Sequence, residues 1–214
     1  MKIITVWIMV ASFLAVAGCQ STYYKTMETF GYHKRDLLVS RVQDARSAQE
    51  DAKEQFQSAI EKFSAVVKLR GSKLQETYKQ LKNEFEKSES RAKAVRNRIS
   101  DVEKVAKALF KEWESELEQY SSEDLRRSSE EKLKQTRQRY TQLIGAMKRA
   151  ESKIAPVLTA FRDQVLFLKH NLNAQAIASL REELVSVEAD VTSLIKEMES
   201  SIAEADVFIK EMSN

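Results

Sequence analysis

The single thiol, Cys19, and the only two histidines, His33 and His170, are the side chains with the widest chemical repertoire in this sequence. Their spacing decides what they can do. A catalytic thiol needs a base within hydrogen-bond reach, and a metal needs several ligands converging on one point. Neither histidine has a nearby His or Cys in the chain, so neither reads as a metal ligand or a general base. His33 reads as a polar residue close to the head of the chain. His170 reads as a helix-end residue beside the negative end of the helix dipole. No glycine-rich phosphate loop and no nucleophile elbow occurs. The many carboxylates fall on the surface positions of a helical repeat. The expectation is a non-enzymatic protein with no catalytic residue, no metal and no cofactor.

Cys19 has a different chemistry, set by what precedes it. Lys2 is followed by an uncharged, largely apolar run from Ile3 to Ala17, shorter than the roughly 17 to 25 residues that span a bilayer as a helix. Small and polar residues, Gly18-Cys19-Gln20-Ser21, follow in place of a basic stop-transfer flank. Val16-Ala17-Gly18-Cys19 resembles the bacterial lipobox, whose cysteine receives a diacylglyceryl group, becomes the new N-terminus after cleavage, and is acylated again. Residues 1–18 are then a removed signal peptide, and Cys19 is the lipidation site. At about 0.8 kcal/mol per buried methylene, two or more chains hold a protein stably on a membrane. The competing reading is a plain secretory signal that leaves an unmodified thiol. In Gram-negative lipoproteins an Asp after the cysteine favours inner-membrane retention. Gln20 in that place implies, by the same resemblance, the periplasmic face of the outer membrane. With one cysteine there is no structural disulfide, so packing must supply stability.

Residues 19–35 would link that anchor to the rest. Tyr23, Tyr24, Met27 and Phe30 have helical spacing, and Lys34 and Arg35 follow them. These six are candidate membrane-proximal contacts, with aromatics among the headgroups and cations near anionic lipid. The alternatives are a segment packed across one end of the fold and a loose tether.

The elements that must carry these residues are legible in the composition. Four glycines and one proline stand where average usage gives roughly 15 and roughly 11, so folds rich in tight turns are disfavoured. With 43% apolar residues and a net charge of +3, the chain is too hydrophobic and too nearly neutral to be disordered by composition. Apolar residues in alternating steps of three and four predict helices over about 36–69, 73–119, 123–170 and 174–212. The first seam runs Leu38, Val42, Ala45, Gln49, Ala52, Phe56, Ala59, Phe63 and Val66, with Asp36 as N-cap. Gly71 and a Ser72–Gln75 capping box mark the first reversal. Leu74, Tyr78, Leu81, Phe85, Ser88 and Ala92 open the second seam, and Leu117 and Tyr120 close it after one extra residue. Phe110, Trp113 and Tyr120 read as an aromatic cluster at one end, part of the core and not a ligand pocket. The hydroxyls and acids of Tyr120 to Asp124 start the third helix. Pro156 lies inside it; a proline ordinarily begins a new helix, but the phase passes from Ala150 to Phe161 without a slip and favours one kinked helix.

Short connections make antiparallel neighbours. The fold class expected of residues 36–214 is therefore all-α: an elongated antiparallel bundle of four long helices with coiled-coil-like heptad packing. Extended helices that pair only on dimerisation are the competing arrangement. Between Leu125 and Lys153 nine Lys and Arg face three acids, whereas Glu182 to Glu211 holds nine acids and two lysines. In an antiparallel pair those fields largely cancel, and no aromatic platform accompanies the cations, so nucleic acid is not an expected partner.

Tyr32-His33-Lys34-Arg35-Asp36, Val42 to Arg46, Ser47 to Ala52, Glu118 to Ser122 and Leu168 to Ala174, together with the lipobox, resemble a Gram-negative lipoprotein family catalogued as domain of unknown function 2959. The resemblance spans nearly the whole mature chain. It implies a helical envelope lipoprotein and supplies no activity, substrate or catalytic residue. The functional expectation is an outer-membrane lipoprotein serving as a periplasmic scaffold, spacer or partner-binding module. It would be held by its lipid, with other envelope proteins or a second copy as partners. The alternative is an accessory protein that handles a lipid or other apolar ligand, lined by the Phe and Tyr seam; a cell-wall hydrolase is a distant third.

Overall fold

The structure, a computed structural model, describes residues 34–67, 74–171 and 174–213. These form α1 (Lys34–Val67), α2 (Leu74–Leu117), α3 (Glu123–His170) and α4 (Ala174–Ser213), and no strand occurs among the described residues. Every boundary lies within three residues of the heptad reading. Asp36 differs in role: α1 is already helical at Lys34, so Asp36 sits in the first turn, where its charge suits the dipole. The Gly71 turn, Ser72, Leu172 and Asn173 lie outside the described residues, as do the side chains of the seam residues Val66 and Leu74 and those of residues 174–178.

Local chemistry explains the ends of α3. Ser122 is its N-cap, in an extended conformation, and its side chain accepts from the Leu125 N–H, with Glu123 and Asp124 in the first turn. At the other end the Asn171 N–H donates to the Phe167 and Leu168 carbonyls, and its side-chain amide also donates to Phe167 at 3.0 Å. Orphan carbonyls are thereby answered. Lys169 and His170 occupy the last turn. Pro156 does not interrupt the helix. Both Pro156 and Ser152, whose carbonyl loses its partner there, are exposed, so the proline falls on the solvent side of α3 and not in the core.

The helices close into an antiparallel ring: α1 packs on α2 and α4, and α3 packs on the same two. Each seam is crossed by an ion pair, Arg91–Asp51 at 2.7 Å, Arg137–Glu114 at 2.7 Å, Arg139–Glu211 at 3.0 Å and Arg46–Asp206 at 2.8 Å. Arg139–Glu211, with Arg149–Glu197 at 3.5 Å, bears on the charge asymmetry of the sequence, since the basic first half of α3 does meet the acidic later half of α4. Exposed pairs of this kind contribute about 0–1 kcal/mol each, so the apolar interior holds the bundle together. At 1.5 Å per residue the 48 residues of α3 make a rod about 70 Å long.

From Leu38 to Phe63 the α1 seam is buried at every expected position, including the polar exception Gln49. Ser201 of α4 donates to Gln49 Oε1 at 2.9 Å, which gives the α1–α4 pair a polar mark on its register. Near the C-terminal end of α1 the core closes across the diagonal. Phe161 of α3 stacks on Phe63 with centroids 4.6 Å apart and tilts against Phe56 at 6.3 Å.

Candidate functional site

The residues with most to offer a partner fall in four places. At the end where α1 begins, Lys34 pairs with Glu112 of α2, and the Arg35 guanidinium donates to the Met212 carbonyl of α4. The start of α1 is thus tied to the ends of α2 and α4. Of the candidate membrane-proximal residues, Lys34 and Arg35 stand at this end of the bundle. Cys19, Tyr23, Tyr24, Met27 and Phe30, with His33, lie outside the described residues.

An aromatic group sits close by, with a different membership from the expected one. Trp113 donates its indole N–H to Ser129 Oγ at 2.8 Å, and Phe110 meets Tyr140 edge-on at 5.4 Å beneath the Arg137 guanidinium. Tyr120 does not join them. α2 ends at Leu117, before the seam can carry Tyr120 inward, and Tyr120 is 42% exposed in the turn. Burial, helped by the negative charge of Glu103, pushes the Tyr140 phenol up to about 12. The cluster is core.

Toward the opposite end lies a carboxylate that does not belong to the surface. Glu84 of α2 is 3% exposed. It takes Lys62 Nζ at 2.7 Å, Lys87 Nζ at 3.2 Å and the Gln55 side-chain N–H at 2.9 Å. Burial alone would raise its pKa, but the hydrogen bonds from Lys62, Gln55 and Lys87 outweigh it and hold the carboxyl below its ordinary value. Thr77 and Glu84 are buried beside Tyr78 and Phe85, which are only half-buried. Leu81, Ser88 and Ala92 are buried as expected, and the inward face is widened by one residue on one side, to take in Thr77 and Glu84. An apolar-period reading misses it, because it scores Glu84 as polar without counting the three donors from α1 and α2.

The fourth place is a groove of about 930 Å³ between α3 and α4, lined by Pro156, Ala160, Gln164 and Phe167 on one side and Leu180 and Val187 on the other. Its charged lining residues are Asp163, Glu182 and Glu183. Gln164 is buried, and its side-chain Nε2 has no hydrogen-bond partner. The sequence carries only a faint sign of this groove, the small residues Ala155, Pro156 and Ala160 on one stretch of α3. The Phe residues of the seam, which would line an apolar site if the bundle opened, are stacked inside the closed core.

Among the described residues no group of three His, Cys, Asp or Glu side chains is placed to hold a metal ion. No described helix is long and apolar enough to cross a membrane. No curated protein and no solved structure matches the chain. One family does, over residues 23–212, from the segment ahead of α1 to the last turn of α4. That extent takes in all four helices, and the chain belongs to the family described as Protein of unknown function (DUF2959).

Proposed function

We propose that this chain is a non-enzymatic outer-membrane lipoprotein that serves as a periplasmic scaffold or spacer, anchored through lipid on Cys19. The observation that carries the reading is directional. α1 starts at one end of the rod, where Lys34 and Arg35 are tied to Glu112 and Met212. An anchor upstream of Lys34 therefore grips the bundle by that end, and the far end lies some 70 Å away along 48 residues of α3. A closed apolar core and a charged exterior suit a stiff body that presents faces to partners.

Fractionation of cells carrying Cys19→Ser tests the anchor. The wild-type chain is expected in the outer-membrane fraction. The variant is expected in the inner membrane with its apolar leader, residues 3–17, uncleaved. An unchanged fraction and an unchanged mass would refute the reading. Photo-crosslinking in intact cells from the exposed residues Leu125, Val185 and Val207 then identifies what the rod touches. A scaffold gives site-specific crosslinks to envelope proteins or to a second copy, whereas a chain without partners gives none.

A further inference from the structure

We infer that the first part of α4 is a strap that lifts off α3: residues 180–191 swing out at the far end of the rod while residues 197–212 stay seated. This goes beyond the scaffold reading and does not depend on the anchor. The near and middle parts of the α3–α4 seam are held by opposite charges, Arg139–Glu211 at 3.0 Å and Arg149–Glu197 at 3.5 Å. Ser201 ties the same stretch of α4 to Gln49 of α1 at 2.9 Å, inside the core. Toward the far end the seam changes character.

Three features loosen it there, and the first is packing. The groove of about 930 Å³ opens between Pro156, Ala160 and Phe167 of α3 and Leu180 and Val187 of α4. Side chains that face a gap forgo contacts on that side. Leu184, on the inward repeat of α4, is only half-buried, whereas Val191, Leu194, Met198, Ala205 and Phe208 further along are buried. The second feature is charge. Asp163 of α3 and Glu182 and Glu183 of α4 line the same gap, with no lysine or arginine among the described lining residues. Like charges across the gap push the two helices apart, the reverse of the pairs at Arg139 and Arg149. Arg162, at 3.5 Å from Asp163, offsets part of one charge.

The third feature is a buried amide. Gln164 borders the groove, but its Nε2 is shut off from solvent and has no hydrogen-bond partner. A buried donor left unanswered is costly, and lifting residues 180–191 lets water reach it. The counterweights are small. Leu180 and Val187 lose their burial, and Ser64 Oγ gives up Glu188, a hydrogen bond of 2.6 Å in an exposed place. Segments open locally where few buried contacts oppose the opening. The bend falls between Val191 and Glu197, ahead of the ties at Arg149 and Gln49. The half of the rod nearest Lys34 is then the rigid mount, and the far end of α4 is the part that moves.

Hydrogen exchange of the full chain in maltoside micelles, read by mass spectrometry, tests this within one helix. The amides of 180–191 are expected to share one protection value, about 10-fold or more below that of 202–212. Their exchange should also respond less steeply to urea, because lifting the strap exposes less surface than unfolding the bundle. Gln164→Leu removes the unanswered donor and is expected to slow exchange of 180–191 about 5-fold, leaving 202–212 unchanged. Glu182→Gln with Glu183→Gln, both on exposed positions, removes the facing charges, and about a 2-fold slowing of the same amides is expected. If Gln164→Leu fails to fold, the wild-type profile and the charge variant decide on their own. Three results would overturn the inference: protection of 180–191 equal to that of 202–212, protection that climbs turn by turn from Ala174 as in simple end fraying, or exchange of 180–191 unchanged by the substitutions.

Discussion

Phe161→Ala removes the ring at the centre of the aromatic contact that joins α1 to α3 across the bundle. Phe161 is fully buried, stacked on Phe63 at 4.6 Å and tilted against Phe56 at 6.3 Å. Truncating a buried Phe costs about 3–5 kcal/mol, and the loss belongs at the upper part of that range because two ring contacts disappear together. For a chain of this size 1 kcal/mol moves Tm by about 2–4 °C, so a drop of roughly 10–15 °C is expected. Urea titration of the full chain in maltoside micelles, followed by circular dichroism at 222 nm, measures the free energy, and a thermal scan measures the shift. Phe161→Leu separates volume from ring stacking and is expected to cost about 1–2 kcal/mol. A double-mutant cycle with Phe63→Ala should return a coupling of about 0.5–1.5 kcal/mol. A loss under about 1 kcal/mol for Phe161→Ala, or additive effects with Phe63→Ala, would refute the diagonal contact.

Three further outcomes are expected. The Glu84 carboxyl is held below its ordinary pKa, so its contribution is present above the unfolded-state value and is lost as pH falls through the folded-state value. Glu84→Gln should therefore flatten the acid limb of the stability–pH profile and cost about 1–3 kcal/mol at pH 7; an acid limb identical to wild type would contradict the buried cluster. Burial raises the Tyr140 phenol to about 12, so it stabilises the fold fully below the ordinary tyrosine value and that contribution fades as pH climbs toward 12. In a spectrophotometric titration at 295 nm, Tyr140→Phe should delete the last phenol to ionise, and a curve unchanged at its alkaline end would count against this. Gly145 lies within α3, and an added Cβ would meet only Arg149 Nη1 at 3.6 Å, an ordinary contact. Gly145→Ala is thus expected to raise stability by about 0.5–1 kcal/mol, readable as a higher urea midpoint, and destabilisation would show that the backbone there needs glycine.

Much of the fold could be read from the spacing of apolar residues, because burial in a helical bundle follows a period that neighbours do not alter. The run from Leu38 to Phe63 shows this, as does the continuity of the repeat through Pro156, which lies on the exposed face of one uninterrupted α3. Where the expectation slipped, a partner on another helix decided the outcome. Glu84 is buried because Lys62 and Gln55 come from α1 to meet it, and that meeting is not encoded in the spacing of α2. Tyr140 replaced Tyr120 beside Phe110 because α2 stops at Leu117 and α3 returns along it. The groove at Gln164 was least legible of all. It is a property of the gap between α3 and α4, and a linear pattern holds no information about how widely two helices part.

Intact-mass spectrometry of the chain purified from its native membranes reads out whether the rod is held at one end by lipid on Cys19. The expected species lacks residues 1–18, begins at Cys19 and carries a thioether-linked diacylglyceryl group plus an amide-linked acyl chain. A chain that begins elsewhere, or one whose Cys19 keeps a free thiol, would contradict it.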